Sequence, residues 1–478
     1  MPETVSWMDR AAEQVDYAAT LMYWPWTICI LFATGLFFTF RNGFVQVRRF
    51  PEAARTMVAS QQAGAGGALS PFQAFMMGLG STIGVGNIAG VAAAIITGGP
   101  GALFWIWCYG FFAMSVKFAE AVLGLKYRIP HGEATLAGPM YYLRNGLGSA
   151  SLAWLYALIA GIACLFTTPF TQPNSIAVVL DSQFSKAGLE LGTFSFSGAT
   201  ISGSRLAIGV VLAILTWLVI IGGVKSIGRA LEKLSPFKVG FYMLGGLAVI
   251  LMNIGNLPAV LSEVFREAFS LKPIAGATFG GLMATTMGQA LRYGLARGAY
   301  ANEAGYGTAA VVYGVAKSDR PDQQGLNAVM EVFIITFITS TISALTILLT
   351  GTWKLEKIES AAAVSEAFNS SIPVAGGWMV AFSVFLFGYT TLMGWSFYGE
   401  QFLEYLFGRR VVMPYRWLYC LLIPVGAVAK VDLVWAWGDI LNGAQIFPNL
   451  IGIIGLSGVA AKYAMKRTAD EPEEAATS

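Results

Sequence analysis

The chain has 478 residues, 56% of them hydrophobic and only 12% charged, with a mean hydropathy of +0.62 and a formal net charge of +3. A water-soluble protein of this length needs about twice that share of charged side chains to cover its surface, so the solvent is a lipid bilayer, and the small positive balance carries no nucleic-acid signal. One histidine, His131, and four cysteines, Cys29, Cys108, Cys164 and Cys420, supply no nucleophile–base pair, metal-ligand set or disulfide framework, which argues against an enzyme.

In chain order, the first twenty residues, MPETVSWMDRAAEQVDYAAT, carry acids and no basic run and do not read as a signal peptide. Eleven apolar stretches follow, each long enough to cross about 30 Å of hydrocarbon as a helix: roughly 20–40, 70–96, 101–127, 151–180, 206–223, 237–256, 274–294, 325–351, 377–405, 412–429 and 440–463. The pieces GAYANEAGYGTAAVVYGVAKS and TWKLEKIESAAAVSEAF between them read as short surface helices, and the acidic tail ADEPEEAATS as disordered. The expected fold is an all-α polytopic membrane protein with eleven transmembrane helices. An N-terminal unit (1–60) of outer terminus, first helix and cytoplasmic loop precedes a transporter core (61–463) and a cytoplasmic tail (464–478).

Basic residues fix the orientation, because lysine and arginine are retained on the cytoplasmic side during insertion. With the N-terminus outside and the C-terminus inside, Arg41, Arg48, Arg49, Lys126, Arg128, Lys225, Arg229, Lys233, Lys238, Arg292, Arg297, Lys317, Arg320, Arg409 and Arg416 fall in cytoplasmic loops of a bacterial inner membrane.

The second stretch contains GLGSTIGVGNIAGVAAAIITGGPG, the least helix-loving run of the chain. A packing seam needs small residues four apart, whereas Ser81, Thr82, Gly84, Gly86 and Asn87 surround one turn, the pattern of an interrupted helix. Unwound backbone within a membrane is tolerated where it lines a cavity, and half-helix ends there hold a carboxylate and a cation. Such folds are inverted repeats, so the other half needs its own break. The seventh stretch, GATFGGLMATTMGQALRYG, offers Gly280 and Gly281. Setting the first helix aside leaves two sets of five, about 70–256 and 274–463, each opened by an interrupted helix and inverted with respect to the other.

Lys117, Glu120, Glu331 and Glu400 are read at cytoplasmic ends of their helices, leaving an uncharged midplane. That favours a zwitterionic solute held by main-chain dipoles and a cation held by neutral oxygens. Polar residues that can line the site are Gln172, Asn174 and Ser175 in TTPFTQPNSIAVV, and Thr390, Thr391 and Trp395 in GYTTLMGWSFYGE. For Asn174 and Ser175 helix-to-helix hydrogen bonding competes with a binding role, and a threonine pair is often bonded back to its own helix.

The runs STIGVGNIAGVAAAI, GGPGALFWIW, KFAEAVLGLKYR, GPMYYLRNGLG, QPNSIA, QALRYGLARGAYANEAGYGTA, LMGWSFYGE and NGAQIFPNLIGIIGLS together resemble the alanine or glycine:cation symporters, also called sodium:alanine symporters. The resemblance implies a five-plus-five inverted-repeat (LeuT-type) core behind one extra helix, with two discontinuous helices. It implies sodium-coupled symport of small neutral amino acids by alternating access, with sodium and the amino acid as ligands. Gly84, Gly86 and Asn87 would bind the amino-acid carboxylate and backbone, with Gln172 beside them. Thr391 and Trp395 would shape a pocket for a small side chain, opposite the second interrupted helix with Gly280 and Gly281. Thr390 and Thr391, with carbonyls near Ser81 and Thr82, would form the sodium site. The segment with Arg297, Asn302 and Glu303 would be a cytoplasmic connection.

The chain departs from the family pattern at Ile335, where the family has an acid, at Thr168–Thr171, and at Tyr306, where leucine is commoner. Proton coupling, another neutral solute or a passive channel are the alternatives, and the oligomeric state is left open, a monomer being compatible with the sequence.

Overall fold

The computed structural model describes residues 22–59, 66–131, 134–196, 199–274, 281–355 and 360–466, with isolated positions 14, 15, 18 and 358. The regular structure of the described residues is helical apart from two small antiparallel hairpins, Ile129–His131 with Ala134–Leu136 and Thr193–Phe196 with Ala199–Ser202. Among the described residues seven helices are long and apolar enough to cross a membrane, nine when each of two bent pairs is taken as one span. The first expected span is a wide turn, Met22–Thr27, leading into a 14-residue helix, Ile28–Arg41, and of the seventh, 274–294, only the part from Thr286 onward falls in the helix Thr286–Asn302. Of the expected tail, only residues 464–466 are described.

The second span starts on a capping box: the Ser70 hydroxyl accepts from the Gln73 amide and the Gln73 side chain accepts from the Ser70 amide, both at 3.1 Å, with Pro71 in the first turn. The helix Pro71–Thr82 then stops at Ile83 (φ −76°, ψ 90°) and the extended Gly84, and resumes through a 3₁₀ turn, Val85–Asn87, into Ala89–Gly98. The two halves are bent by 64°.

Further interruptions are described at Leu456, where Leu433–Gly455 and Ser457–Met465 are bent by 61°, and after Asn302. Gly280 lies outside the described residues, and Gly281 opens a short turn, Gly281–Ala284. The helix Thr286–Asn302 ends instead at Glu303, whose φ of 52° is left-handed, and Gly305 (φ 91°) and Gly307 (φ 86°) carry the chain into a second helix, Thr308–Gly314. This segment, expected on the surface, is buried. Its main-chain amides are satisfied in the interior: the Glu120 carboxylate accepts from Gly305 and Gly307, each at 3.0 Å, and from Asn449 at 2.7 Å.

Helix Ala102–Lys126 packs against Thr286–Asn302, Thr308–Gly314 and Pro321–Phe333, while the 33-residue helix Ala375–Phe407 runs through the middle of the molecule. The apolar window of that helix is 89% buried, against 33% for Gly203–Ile220, where Val210, Val211, Ile214 and Leu218 face outward as lipid-facing residues do.

Many of the basic loops meet on one face. Arg48 and Arg49 donate to the carbonyls of Ala464 and Tyr463 at 2.7 and 3.0 Å, Arg49 pairs with Asp322 at 3.0 Å, and Arg128 donates to the Ala316 carbonyl at 2.6 Å. Two expectations about charge are corrected. Arg292 and Arg297 lie on the far side of the break from that face, because Met287 bonds to Ser270 while Leu69 pairs with Ala316. Lys238 is not in a loop: the helix begins at Gly223, so Lys238 lies about 22 Å along it, at mid-depth, and is wholly buried.

Candidate functional site

Between the breaks at Gly84 and Glu303 lies a small cavity of about 20 Å³, room for little more than one water and well below the size range of ligand pockets. Six residues singled out from sequence as amino-acid contacts, Gly84, Gly86, Asn87, Gln172, Thr391 and Trp395, line it together with Thr82. Of the second glycine pair, Gly280 lies outside the described residues. Among the described residues Tyr300, Ala301, Glu303 and Tyr306 stand opposite the first break, with Thr167, Thr168 and Asn442 also in the wall.

Gly84 and Gly86 are small because neighbours crowd them. A methyl group at Gly84 would meet the Thr391 hydroxyl at 2.8 Å and the Gln172 carbonyl oxygen at 3.0 Å, and one at Gly86 would meet the Tyr300 ring at 2.8 Å. The Gln172 oxygen accepts from the Val85 amide at 3.2 Å, and the Asn87 side chain donates to the Thr82 carbonyl at 3.2 Å. The Ser343 hydroxyl donates to the Asn87 carbonyl at 2.7 Å. These bonds hold the unwound turn open at the start of Ala89–Gly98, where the helix dipole presents its positive end.

Across the cavity stands a carboxylate. Glu303 is buried, accepting from the Trp395 indole and the Thr308 hydroxyl, each at 2.9 Å. Behind Thr82, Glu331 accepts from Lys117 at 2.7 Å, from the Thr82 hydroxyl at 2.8 Å and from Tyr313 at 2.6 Å. Buried charge therefore surrounds the site, which corrects the expectation of an uncharged midplane. Glu303 was legible as Gly-x-Gly spacing: Gly305 and Gly307 repeat the spacing of Gly84 and Gly86.

The carbonyls and hydroxyls expected to hold sodium also converge, with a different occupant. The Lys238 ammonium donates to the carbonyls of Gly80 and Ile83 at 2.8 and 2.6 Å and to the Thr390 hydroxyl at 2.5 Å. Ser81 and Thr82 turn elsewhere: the Ser81 hydroxyl donates to the Met77 carbonyl at 2.6 Å, and the Thr82 carbonyl accepts from Gly84 at 3.0 Å as well as from Asn87. Thr391 reaches the Ile83 carbonyl at 3.5 Å. A metal ion does not fit these oxygens while the ammonium is bound to them. Ile335, standing where the family has an acid, is buried and adds no side-chain oxygen.

Asn174 and Ser175 act as ties between and within helices. The Asn174 side chain donates to the carbonyls of Gly426 and Ala429 at 3.1 and 2.8 Å, and Ser175 donates to Thr171 in its own helix at 3.0 Å.

The family model described as the sodium:alanine symporter family matches residues 8–476. The Sodium/alanine symporter AgcS of Methanococcus maripaludis is 37% identical over 454 residues, covering 93% of this chain and 94% of that protein. The Amino-acid carrier protein AlsT of Bacillus subtilis is 32% identical over 452 residues, covering 93% of this chain and 90% of the relative. Among solved structures, a manganese transporter of Eremococcus coleocola shares the fold at a TM-score of 0.54 and 12% identity, covering 79% of this chain and 75% of its own. Relatives that are carriers along nearly their whole length, on a polytopic helical frame, make this a multi-pass membrane transporter and not an enzyme, and the chain belongs to the sodium:alanine symporter family.

Proposed function

We propose that the chain is a sodium-coupled symporter that carries a small neutral amino acid of the alanine or glycine class across the plasma membrane by alternating access. One observation carries the amino-acid reading: the cavity sets the positive end of a half-helix, at Gly84 to Asn87, opposite the buried carboxylate of Glu303. A zwitterion bound there has its carboxylate met by main-chain amides, Asn87 and Gln172, and its ammonium met by Glu303, so each charge of the ligand faces a complementary group. Trp395, Tyr300 and Tyr306 close the cavity tightly, which supports a small solute over a large one.

The breaks at Gly84 and Glu303 support a five-plus-five inverted arrangement, in which one bundle rocks against the other around the site. With the extra N-terminal helix this makes eleven crossings. The face that gathers Arg48, Arg49 and Arg128 is read as cytoplasmic, which places the N-terminus outside. Sodium as the coupling ion follows the family name and that of the Methanococcus maripaludis relative.

Uptake of labelled alanine and glycine into proteoliposomes, with sodium, potassium or proton gradients imposed in turn, tests the reading. Uptake should be concentrative under the sodium gradient. Equal rates under all three gradients would exclude symport. The position of Lys238 favours a second reading, in which another gradient drives the same carrier, and concentrative uptake under protons alone would establish it.

A further inference from the structure

Lys238, wholly buried at the first break, has no part in holding the amino acid. It lies on Gly223–Met252, a helix that docks on the first half-helix through three side chains on one face: the Glu232 carboxylate accepts from the Gln73 side chain at 3.0 Å, the Ser235 hydroxyl donates to the Met76 carbonyl at 2.8 Å, and one turn on Lys238 reaches the carbonyls of Gly80 and Ile83. The approach depends on Gly80, where a methyl group would meet Leu231 at 3.0 Å.

A buried ammonium is ordinarily balanced by a carboxylate. Among the described residues no carboxylate lies within ion-pair distance of Lys238, whereas Lys117, Arg49 and Arg416, also buried, each have one. Its charge is met by three oxygens, by the negative end of the dipole of Pro71–Thr82 and by the Phe387 ring 5.2 Å away. Main-chain carbonyls at a half-helix end plus a threonine hydroxyl are the donor set by which unwound membrane helices hold a small monovalent cation.

We propose that the Lys238 ammonium is the resident cation of this seat and that it keeps sodium out of it. All three oxygens lie within 2.8 Å of the nitrogen, so a sodium ion sharing them would be in contact with a second positive charge. The lysine does structurally what a bound ion would do: it bridges the first break to Ala375–Phe407 through Thr390, and it does so without being carried across. Any sodium that drives uptake binds elsewhere on the protein.

The inference goes beyond the transport reading and can be tested without an amino acid. The melting temperature of the purified full-length protein is measured in sodium chloride and in choline chloride at equal ionic strength. Lys238→Met should leave the carbonyl cage open, so that sodium raises its melting temperature over choline by roughly 2–4 °C beyond any response of the wild type. Adding Thr390→Ala to that variant should remove the gain. In the wild-type background, Thr390→Ala should lower stability equally in the two salts. A sodium response that Lys238→Met leaves as it was, or a wild-type response that Thr390→Ala abolishes, would overturn the assignment. Should Lys238→Met not fold, Lys238→Gln and the Thr390→Ala comparison give the same decision. Failure of alanine uptake would sink the transport reading and leave this result standing.

Discussion

A Cβ atom at Gly84 would sit between the Thr391 hydroxyl and the Gln172 oxygen, closer to each than side chains normally come. Both neighbours belong to other helices, so the substitution would push the walls of the cavity apart while leaving the lipid-facing surface untouched. Gly84→Ala is expected to lower alanine uptake by at least tenfold, about 1.4 kcal/mol, with a monodisperse elution profile retained. Wild-type uptake would show that the cavity is not the transport site. The need for small residues at 84 and 86 was legible in STIGVGN, because a helix in lipid does not place two glycines and an asparagine on one turn without a reason. Which neighbours crowd them was not legible, since Thr391 and Tyr300 lie more than two hundred residues away in sequence.

At the scale of elements, the first half-helix is held to its surroundings by a buried ion pair. Glu331, on Pro321–Phe333, binds Lys117 of Ala102–Lys126 and the Thr82 hydroxyl at the end of Pro71–Thr82. Removing one member of such a pair strands the other charge, at a cost of about 3–5 kcal/mol, whereas removing both is much milder. Lys117→Met or Glu331→Gln alone should therefore depress the melting temperature strongly, and the double variant should recover most of the loss. Additive losses would mean that the two do not act as a pair. The breaks themselves show how hydropathy misleads. The first lies inside an apolar run and is conspicuous. The second, at Glu303–Gly307, is flanked by Arg297, Asn302 and Glu303, whose polarity pulls the segment toward a surface reading. Burial of that polarity depends on Glu120, Asn449 and Trp395, partners supplied by three other helices.

For the whole molecule, the gathering of basic loops predicts sidedness. Cysteine at Lys225 should be shielded from a membrane-impermeant maleimide in intact cells and labelled once the cells are opened, whereas cysteine at Gly192, at the opposite end of Gly203–Ile220, should react in intact cells. The reverse pattern would invert the proposed topology. Both positions are exposed, which makes accessibility a matter of side rather than burial. The same frame explains why Arg292 and Arg297 misled a loop-by-loop count: they lie on a helix beside the cavity, and Arg297 stacks over Trp435 at 5.5 Å.

The amino-acid sequence alone settled the bilayer as solvent and the position of the first break. Both follow from interactions within a few turns of chain: apolar length against membrane thickness, and backbone amides that cannot be left unpaired in hydrocarbon. Only the tertiary structure decided where the charges go. Lys238 finds its oxygens about 150 residues away on either side, at Gly80, Ile83 and Thr390, and Glu303 finds Trp395 on the central helix. A buried charge is tolerable only with such partners, and no local pattern can reveal partners brought from distant parts of the chain by packing.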